Sequence, residues 1–308
     1  MTGAGGGSFS PIAAKAVVDE RASRRKKAAQ GGPTGQGPGT GTKIVSWIIF
    51  ILAFLYFFLP LYATLDFSFR AKAGPADNGA ADFGIAYAHV LADPKFFSTL
   101  LYSFAIGAVT IVVSIAIIVP TAYWVRLRLP FLRPIVETLT LAPFIIPPVI
   151  LVFGLLKSYG GPPFRLTNTD LGSSALLVGA YVLLSFPYMY RSVDVGLRSI
   201  DVRSLTEASQ SLGSGPMRTL VSVILPNLRV ALLSGAFLTM AIVIGEYTIA
   251  NFLFRPAFGP YLSLLGQNRT YEPAAVSVIS FLLTWFAMGV IGLIGRGSRS
   301  RVTVAGAR

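Results

Sequence analysis

The sequence predicts an all-α integral membrane protein with six membrane-crossing helices, and three observations carry that prediction. Hydrophobic residues make up 53% of the 308 and charged residues only 13%, where a soluble domain carries about 25% charged residues. The mean hydropathy is +0.66. Six apolar runs come close to or exceed the ~20 residues that cross a bilayer as a helix. The basic residues also concentrate in alternate loops, as the positive-inside rule requires.

Residues 1–43 are poor in large apolar groups. The stretch GGPTGQGPGTGT (31–42) buries too little surface to offset its chain entropy, which predicts a flexible basic tail on the cytoplasmic side. RASRRKK (21–27) reads as a topology determinant with attraction to anionic lipid. The first apolar run starts too late and runs too long for a cleaved signal peptide. The six predicted spans are 44–66, 98–125, 135–157, 174–192, 228–254 and 273–295, and together they form one domain over 44–295. A short basic tail, 296–308, follows.

Charge sets the orientation. With the N-terminus inside, seven Lys and Arg fall in the first tail and three at 126–134. Five more lie at 191–229 and four after 295. Nineteen of 26 are then cytoplasmic, with both termini inside. The outer loops become 67–97, 158–173 and 255–272. The first carries Asp77, Asp82 and Asp93 and is long enough for a cap or contact surface but too short for a binding domain.

Several function classes are excluded or disfavoured. The chain has no cysteine and one histidine, His89, so neither a disulfide nor a Cys/His zinc site is predicted, nor any other metal centre. A Ser-His-Asp triad would need His89, which reads as a solvated loop histidine. The net charge of +13 belongs to cytoplasmic loops rather than to nucleic-acid binding. A membrane-embedded enzyme lacks convergent acids and histidines here. An ion-coupled secondary transporter would want several intramembrane charges and an internal repeat, and neither is evident. No GxxxxGK[ST] phosphate loop is present.

The third span contains APFIIPPVI, with Pro143, Pro147 and Pro148. Proline removes backbone donors and clashes with the preceding turn. The freed carbonyls are tolerated in a bilayer where protein or a water-filled cavity satisfies them. Pro147 and Pro148 are therefore either pathway-lining or part of a kinked packing helix. Glu137 lies one turn from Arg133, the spacing of an interfacial ion pair. Glu246 lies deeper, where a charge costs about 2.5–3.5 kcal/mol or more. With Tyr247 and Asn251 it forms a polar cluster. One reading makes the cluster pathway-lining, where a carboxylate beside an aromatic ring favours a cation. The other makes it an interhelical hydrogen-bond site.

Between spans four and five lies the polar hairpin of about 193–226. SIDVRSLTEASQSL (199–212) reads as a helix capped by Asp201. Gly213 and Gly215 end it, Pro216 opens a second short helix, and Pro226 breaks that helix and opens span five. Glu207, Ala208, Ser209, Gly213, Val223, Leu225 and Pro226 then stand in a specific spacing. This resembles the EAA loop of permease subunits of binding-protein-dependent ABC importers, whose pattern is Glu-Ala-Ala, a Gly four residues on, nine residues, then Ile-x-Leu-Pro. Ser209 and Val223 are conservative departures. Over roughly 98–295 the chain also resembles the spermidine/putrescine permease branch, in LLSFPYMYRSVDVGLRSIDVRSLTEASQSLG and FLTMAIVIGEYTIANFLFRP. That branch often has adjacent acids where this chain has Gly245-Glu246, and Pro followed by an acid where it has Pro147-Pro148.

The resemblance implies a type I ABC importer permease fold in the bacterial cytoplasmic (inner) membrane. It implies that Glu207, Ala208, Ser209, Gly213, Leu225 and Pro226 couple to a separate ATPase dimer, which would hold the ATP and Mg. No cofactor is expected on this chain. It further implies a second permease subunit, the same or different, and an extracytoplasmic solute-binding protein. The substrate would be a small polar solute. A polyamine-like organic cation is favoured, and ferric ion, thiamine or sulfate are the alternatives from related branches.

Overall fold

The computed structural model describes residues 40–72 and 84–296. The predicted tails, up to residue 39 and from 297 onward, lie outside the described residues, as do Asp77 and Asp82. Among the described residues the regular structure is entirely helical, with no strand. The chain divides into two compact units, Met1–Leu61 and Tyr62–Arg308.

Helix α1, Thr40–Ser68, runs from the first unit into the second. Within the first unit, Trp47, Phe50, Phe54 and Phe58 recur every three or four residues and so share one face. Phe54 and Phe58 stack at 4.1 Å.

The second unit begins with the last two turns of α1. A short helix, α2 (Ile85–Ala92), then buries Ile85, Ala86 and Val90. His89 lies in this helix, with Nδ1 3.2 Å from Glu272 Oε1. It is therefore not the solvated loop residue its surroundings in the sequence suggested. Asp93 ends α2 and caps α3 (Pro94–Leu127), accepting from the Lys95 amide at 2.9 Å. Proline at the first position suits that start. At 34 residues α3 extends beyond the predicted 98–125 at both ends.

The predicted third span is not one helix. It comprises α4 (Arg133–Thr140), α5 (Ala142–Ile145) and α6 (Pro148–Tyr159). The two arms, Pro130–Ile145 and Pro148–Tyr159, meet at 97°. Ile146 and Pro147 take extended backbone there, because a residue before proline is pushed out of the helical region. Glu137 pairs with Arg133 at 2.8 Å, as its spacing suggested. Arg133 also reaches Asp194 at 3.4 Å, and Asp194 pairs with Arg198 at 2.7 Å. That chain of charges ties α4 to α7 (Asp170–Arg198), the fourth predicted span.

After α7 the hairpin follows as α8 (Val202–Ser211), α9 (Pro216–Thr219), a single π-helical turn over Leu220–Ile224, and α10 (Leu225–Asn227). The fifth predicted span is α11 (Arg229–Gly245), a break at Glu246-Tyr247, and α12 (Thr248–Phe252). An outer helix, α13 (Phe258–Asn268), precedes α14 (Glu272–Arg296). By length and composition α1, α3 and α7 can each cross a bilayer. Two sharply bent pairs, Pro130–Ile145 with Pro148–Tyr159 and Pro216–Asn227 with Arg229–Gly245, raise the total among the described residues to as many as five. The segment Glu272–Leu283 of α14 is a shorter apolar helix.

Glycines bring α7 and α11 together. A Cβ on Gly196 would lie 2.6 Å from the Ala231 Cβ, and one on Gly235 2.6 Å from the Met189 sulfur. Small residues allow such approach where lipid supplies no hydrophobic drive. Among the described residues the buried core falls into three clusters. One joins Tyr123, Met189, Val193 and Leu197 to Val202, Leu220 and Ile224 of the hairpin. A second holds Val152, Leu177, Tyr181, Val243 and Ile249. A third holds Ile85, Val90, Phe96, Phe258 and Val276.

Candidate functional site

The hairpin has two faces, and its sequence explains both. Val202, Thr206 and Ser209 of α8 are buried, at helical spacing. Arg203, Glu207, Ala208 and Gln210 are exposed. Asp201 caps α8 by accepting from the Ser204 amide and hydroxyl at 3.1 and 2.7 Å. Those bonds hold its carboxyl below the usual carboxylate range, the side-chain bond first. Glu207 pairs with Arg203 at 2.8 Å. The Tyr123 hydroxyl lies 3.1 Å from that of Thr206 and fastens α8 to the end of α3.

The turn is a Schellman motif. Gly213 has φ +82, its amide donates to the Gln210 carbonyl at 2.9 Å, and the Ser214 amide donates to the Ser209 carbonyl at 3.1 Å. Ser209, where the family pattern has alanine, is buried and its hydroxyl lies 3.0 Å from that of Thr219. The departure thus links the two arms. On either side of the turn, Leu212 is 87% exposed, and Met217 and Val221 are also exposed. The hairpin therefore presents an apolar tip while its inner face is locked into the core.

Pro226 does not itself end the second arm. Its missing N–H and its clash with the carbonyl four residues back disfavour a regular turn. The chain widens there into the π turn, closed by the Leu225 amide on the Leu220 carbonyl. The break falls at Leu228, where the arm meets α11 at 78°. Leu225 is half-buried and Pro226 exposed.

The polar cluster in span five is divided. Glu246 is not inside a continuous helix; it sits at the break and turns inward. Its carboxylate accepts from the amides of Ile249 and Ala250 at 2.7 and 3.2 Å and from the Tyr181 hydroxyl at 3.0 Å. It acts as a cap for α12 and a tie to α7, which is the interhelical reading. Tyr247 and Asn251 are exposed. Gly259 at the start of α13 packs on the break, since a Cβ there would lie 2.2 Å from the Glu246 carbonyl oxygen. Pro147 and Pro148 are exposed at their own break. The arm they open, α6, packs on α12 through Phe153 and Phe252 at 5.0 Å. The two broken spans are thus neighbours. Tyr181, Thr219 and Gly259 carry no motif, so the sequence alone did not single them out.

Glu246→Gln offers one acceptor where three donors converge. The expected cost is about 1–3 kcal/mol for the donor left unmet, read as a lower unfolding midpoint in detergent. An unchanged midpoint would mean that these bonds do not hold the break.

The family described as "Binding-protein-dependent transport system inner membrane component" matches residues 114–299. The chain is 28% identical over 267 residues to the probable ABC transporter permease protein y4fN of Sinorhizobium fredii, covering 84% of this chain and 46% of that protein. It therefore spans about half of that relative's length. It is 26% identical over 227 residues to the spermidine/putrescine transport system permease protein PotB of Salmonella typhimurium, covering 68% of this chain and 75% of that one. Among solved structures it is similar to a bacterial ABC transporter involved in import of the acidic polysaccharide alginate. The TM-score is 0.50 at 19% identity, covering 84% of this chain and 96% of that chain, a likeness of fold.

Proposed function

The chain belongs to the family of binding-protein-dependent transport system inner membrane components, and from that premise we propose that it forms half of the pathway of an ATP-driven importer. The observation that carries the proposal is the two-faced hairpin. Its inner side is locked to α3 and α7 through the shared core, and its apolar tip at Leu212, Met217 and Val221 is exposed. A tip that a motor can grip, on arms that cannot move without the spans, transmits force. Glu207, Ala208, Ser209, Gly213, Leu225 and Pro226 shape it. The ATPase dimer with its ATP and Mg, a second permease subunit and an extracytoplasmic binding protein complete the assembly in the bacterial inner membrane. The hairpin and both termini face the cytoplasm.

The substrate in this proposal is a small polar solute, with a polyamine-like cation favoured by similarity to PotB. Glu246 adds no support to the cation, because its carboxylate is engaged within the chain. That engagement favours the second reading, a solute such as ferric ion, thiamine or sulfate recognised by other groups. Tyr247 and Asn251, with the Pro147-Pro148 break, are the proposed pathway residues of this chain.

Gentle purification of the tagged chain from its native membrane, followed by mass spectrometry, tests the proposal. A P-loop ATPase and a six-span partner are expected to accompany it. Recovery of the chain alone, under conditions that preserve a known importer, would overturn it.

A further inference from the structure

Helix α3 ends in Tyr123-Trp124-Val125-Arg126-Leu127, with Arg128 as its C-cap, and this end forms a cleft of about 490 Å³ with α8. Five charged side chains line it: Arg126, Arg128, Asp201, Arg203 and Glu207. Three are engaged. Asp201 caps α8 on Ser204, and Arg203 and Glu207 pair with each other. Arg126 and Arg128 have no acidic partner among the described residues. The Tyr123–Thr206 hydroxyl contact holds the two walls together, so the cleft is preformed.

Apolar side chains flank these cations. Trp124, which lines the cleft, is 39% exposed, and Leu129 and Phe131 just past the end of α3 are exposed as well. At 1.5 Å per residue a helix the length of α3 is about 50 Å long, more than the ~40–45 Å of a bilayer with its headgroups. With the hairpin on the cytoplasmic side, a helix of that length brings its last turn to the cytoplasmic interface. An aromatic ring with paired basic groups at that depth is the chemistry of the lipid interface. An acidic protein partner could also satisfy the arginines, and the test below separates it from a lipid.

We propose that this cleft binds the phosphate of an anionic phospholipid headgroup through Arg126 and Arg128, against the coupling helix. The proposal rests on the reading that the hairpin faces the cytoplasm. A guanidinium matches two phosphate oxygens at once. The bound headgroup touches α3 on one side and α8 on the other, so inner-leaflet composition bears on how firmly the hairpin is held.

Native mass spectrometry of the full chain, with whatever subunits accompany it, tests this after extraction into detergent carrying phosphatidylglycerol or phosphatidylethanolamine. The unmodified chain is expected to retain phosphatidylglycerol preferentially. R126Q/R128Q is expected to weaken that retention about 30-fold, from ~1 kcal/mol per basic group. R126K/R128K, which keeps the charge, is expected to retain most of it, and serves if the glutamine pair fails to fold. Equal retention of the two lipids, or of phosphatidylglycerol by the glutamine pair, overturns the proposal. Displacement by millimolar inorganic phosphate would assign the cleft to a free phosphate instead. Loss of an accompanying ATPase with lipid retention unchanged would assign it to a protein. An ATPase that accompanies the glutamine pair while lipid retention is unaltered sinks this inference and leaves the transport reading standing.

Discussion

Gly213→Val is expected to reduce substrate uptake by the proposed importer at least about tenfold, the equivalent of 1.4 kcal/mol, while leaving the chain folded and inserted. Gly213 has φ +82 and lies at the position where the Schellman motif reverses the chain. An L-residue in that conformation costs roughly 1–2 kcal/mol, and a β-branched side chain more. A Cβ at Gly213 meets nothing within 4 Å, so the penalty is one of backbone conformation and not of crowding. The turn would relax by rotating away from φ +82. That would release the two carbonyl bonds and displace Leu212 relative to Met217. The core contacts of Val202, Leu220 and Ile224 lie beyond the turn and would persist. The expected result is a normal yield in the membrane, a small change in unfolding midpoint, and uptake reduced by about tenfold or more, the equivalent of 1.4 kcal/mol. Gly213→Asn should retain more uptake, because asparagine tolerates the left-handed region. Gly215→Ser is the control. Gly215 already has extended backbone at the start of α9, where serine is a favoured cap, so uptake should be near normal. Full ATP-driven uptake by Gly213→Val would remove the turn from the coupling mechanism.

Gly259→Ala is expected to destabilise the chain by about 1–3 kcal/mol, the usual range for overpacking a closed contact. The atoms that its Cβ would meet are the Glu246 carbonyl oxygen at 2.2 Å, the Glu246 carbonyl carbon at 2.8 Å and the Tyr247 Cα at 3.1 Å. All three are backbone, so no side-chain rotation relieves the clash. Either α13 shifts or the break between α11 and α12 is pushed open. The unfolding midpoint in detergent should fall, and uptake should fall with it if Tyr247 and Asn251 line the pathway. Gly154→Ala is the comparison, because nothing lies within 4 Å of that Cβ and alanine is the better helix former by ~1 kcal/mol. A Gly259→Ala chain as stable as the unmodified one would show that the break is not clasped by α13. Combining Gly259→Ala with Glu246→Gln should cost less than the sum of the two, since both act on the break at Glu246.

Much of this architecture was legible in the sequence. The long apolar runs predicted α1, α3, α7 and α14 because a helix that crosses lipid must be continuous in composition. The hairpin was legible to the level of single residues. Asp201 as a cap, Gly213 as a reversal and Pro216 as a first-turn proline are local choices that depend on backbone geometry within a few residues. The Arg133–Glu137 pair followed from spacing alone.

What the sequence left undecided depends on groups distant along the chain. The prolines of the third span announced a disturbance, but the 97° between its arms reflects what each arm packs against, including Phe252 on Phe153. Glu246 was ambiguous because a carboxylate in an apolar run can face a pathway or a neighbour. Tyr181, 65 residues away, and two local amides decided for the neighbour. His89 was read as solvated because its partner, Glu272, lies 183 residues on. The sequence by itself determined the class of fold and the two-armed hairpin, whose signals are local and repeat with the period of the helix. Only the tertiary structure decided where the spans break and which polar groups are engaged, because a desolvated carboxylate or amide is satisfied by whichever partner the packing brings near.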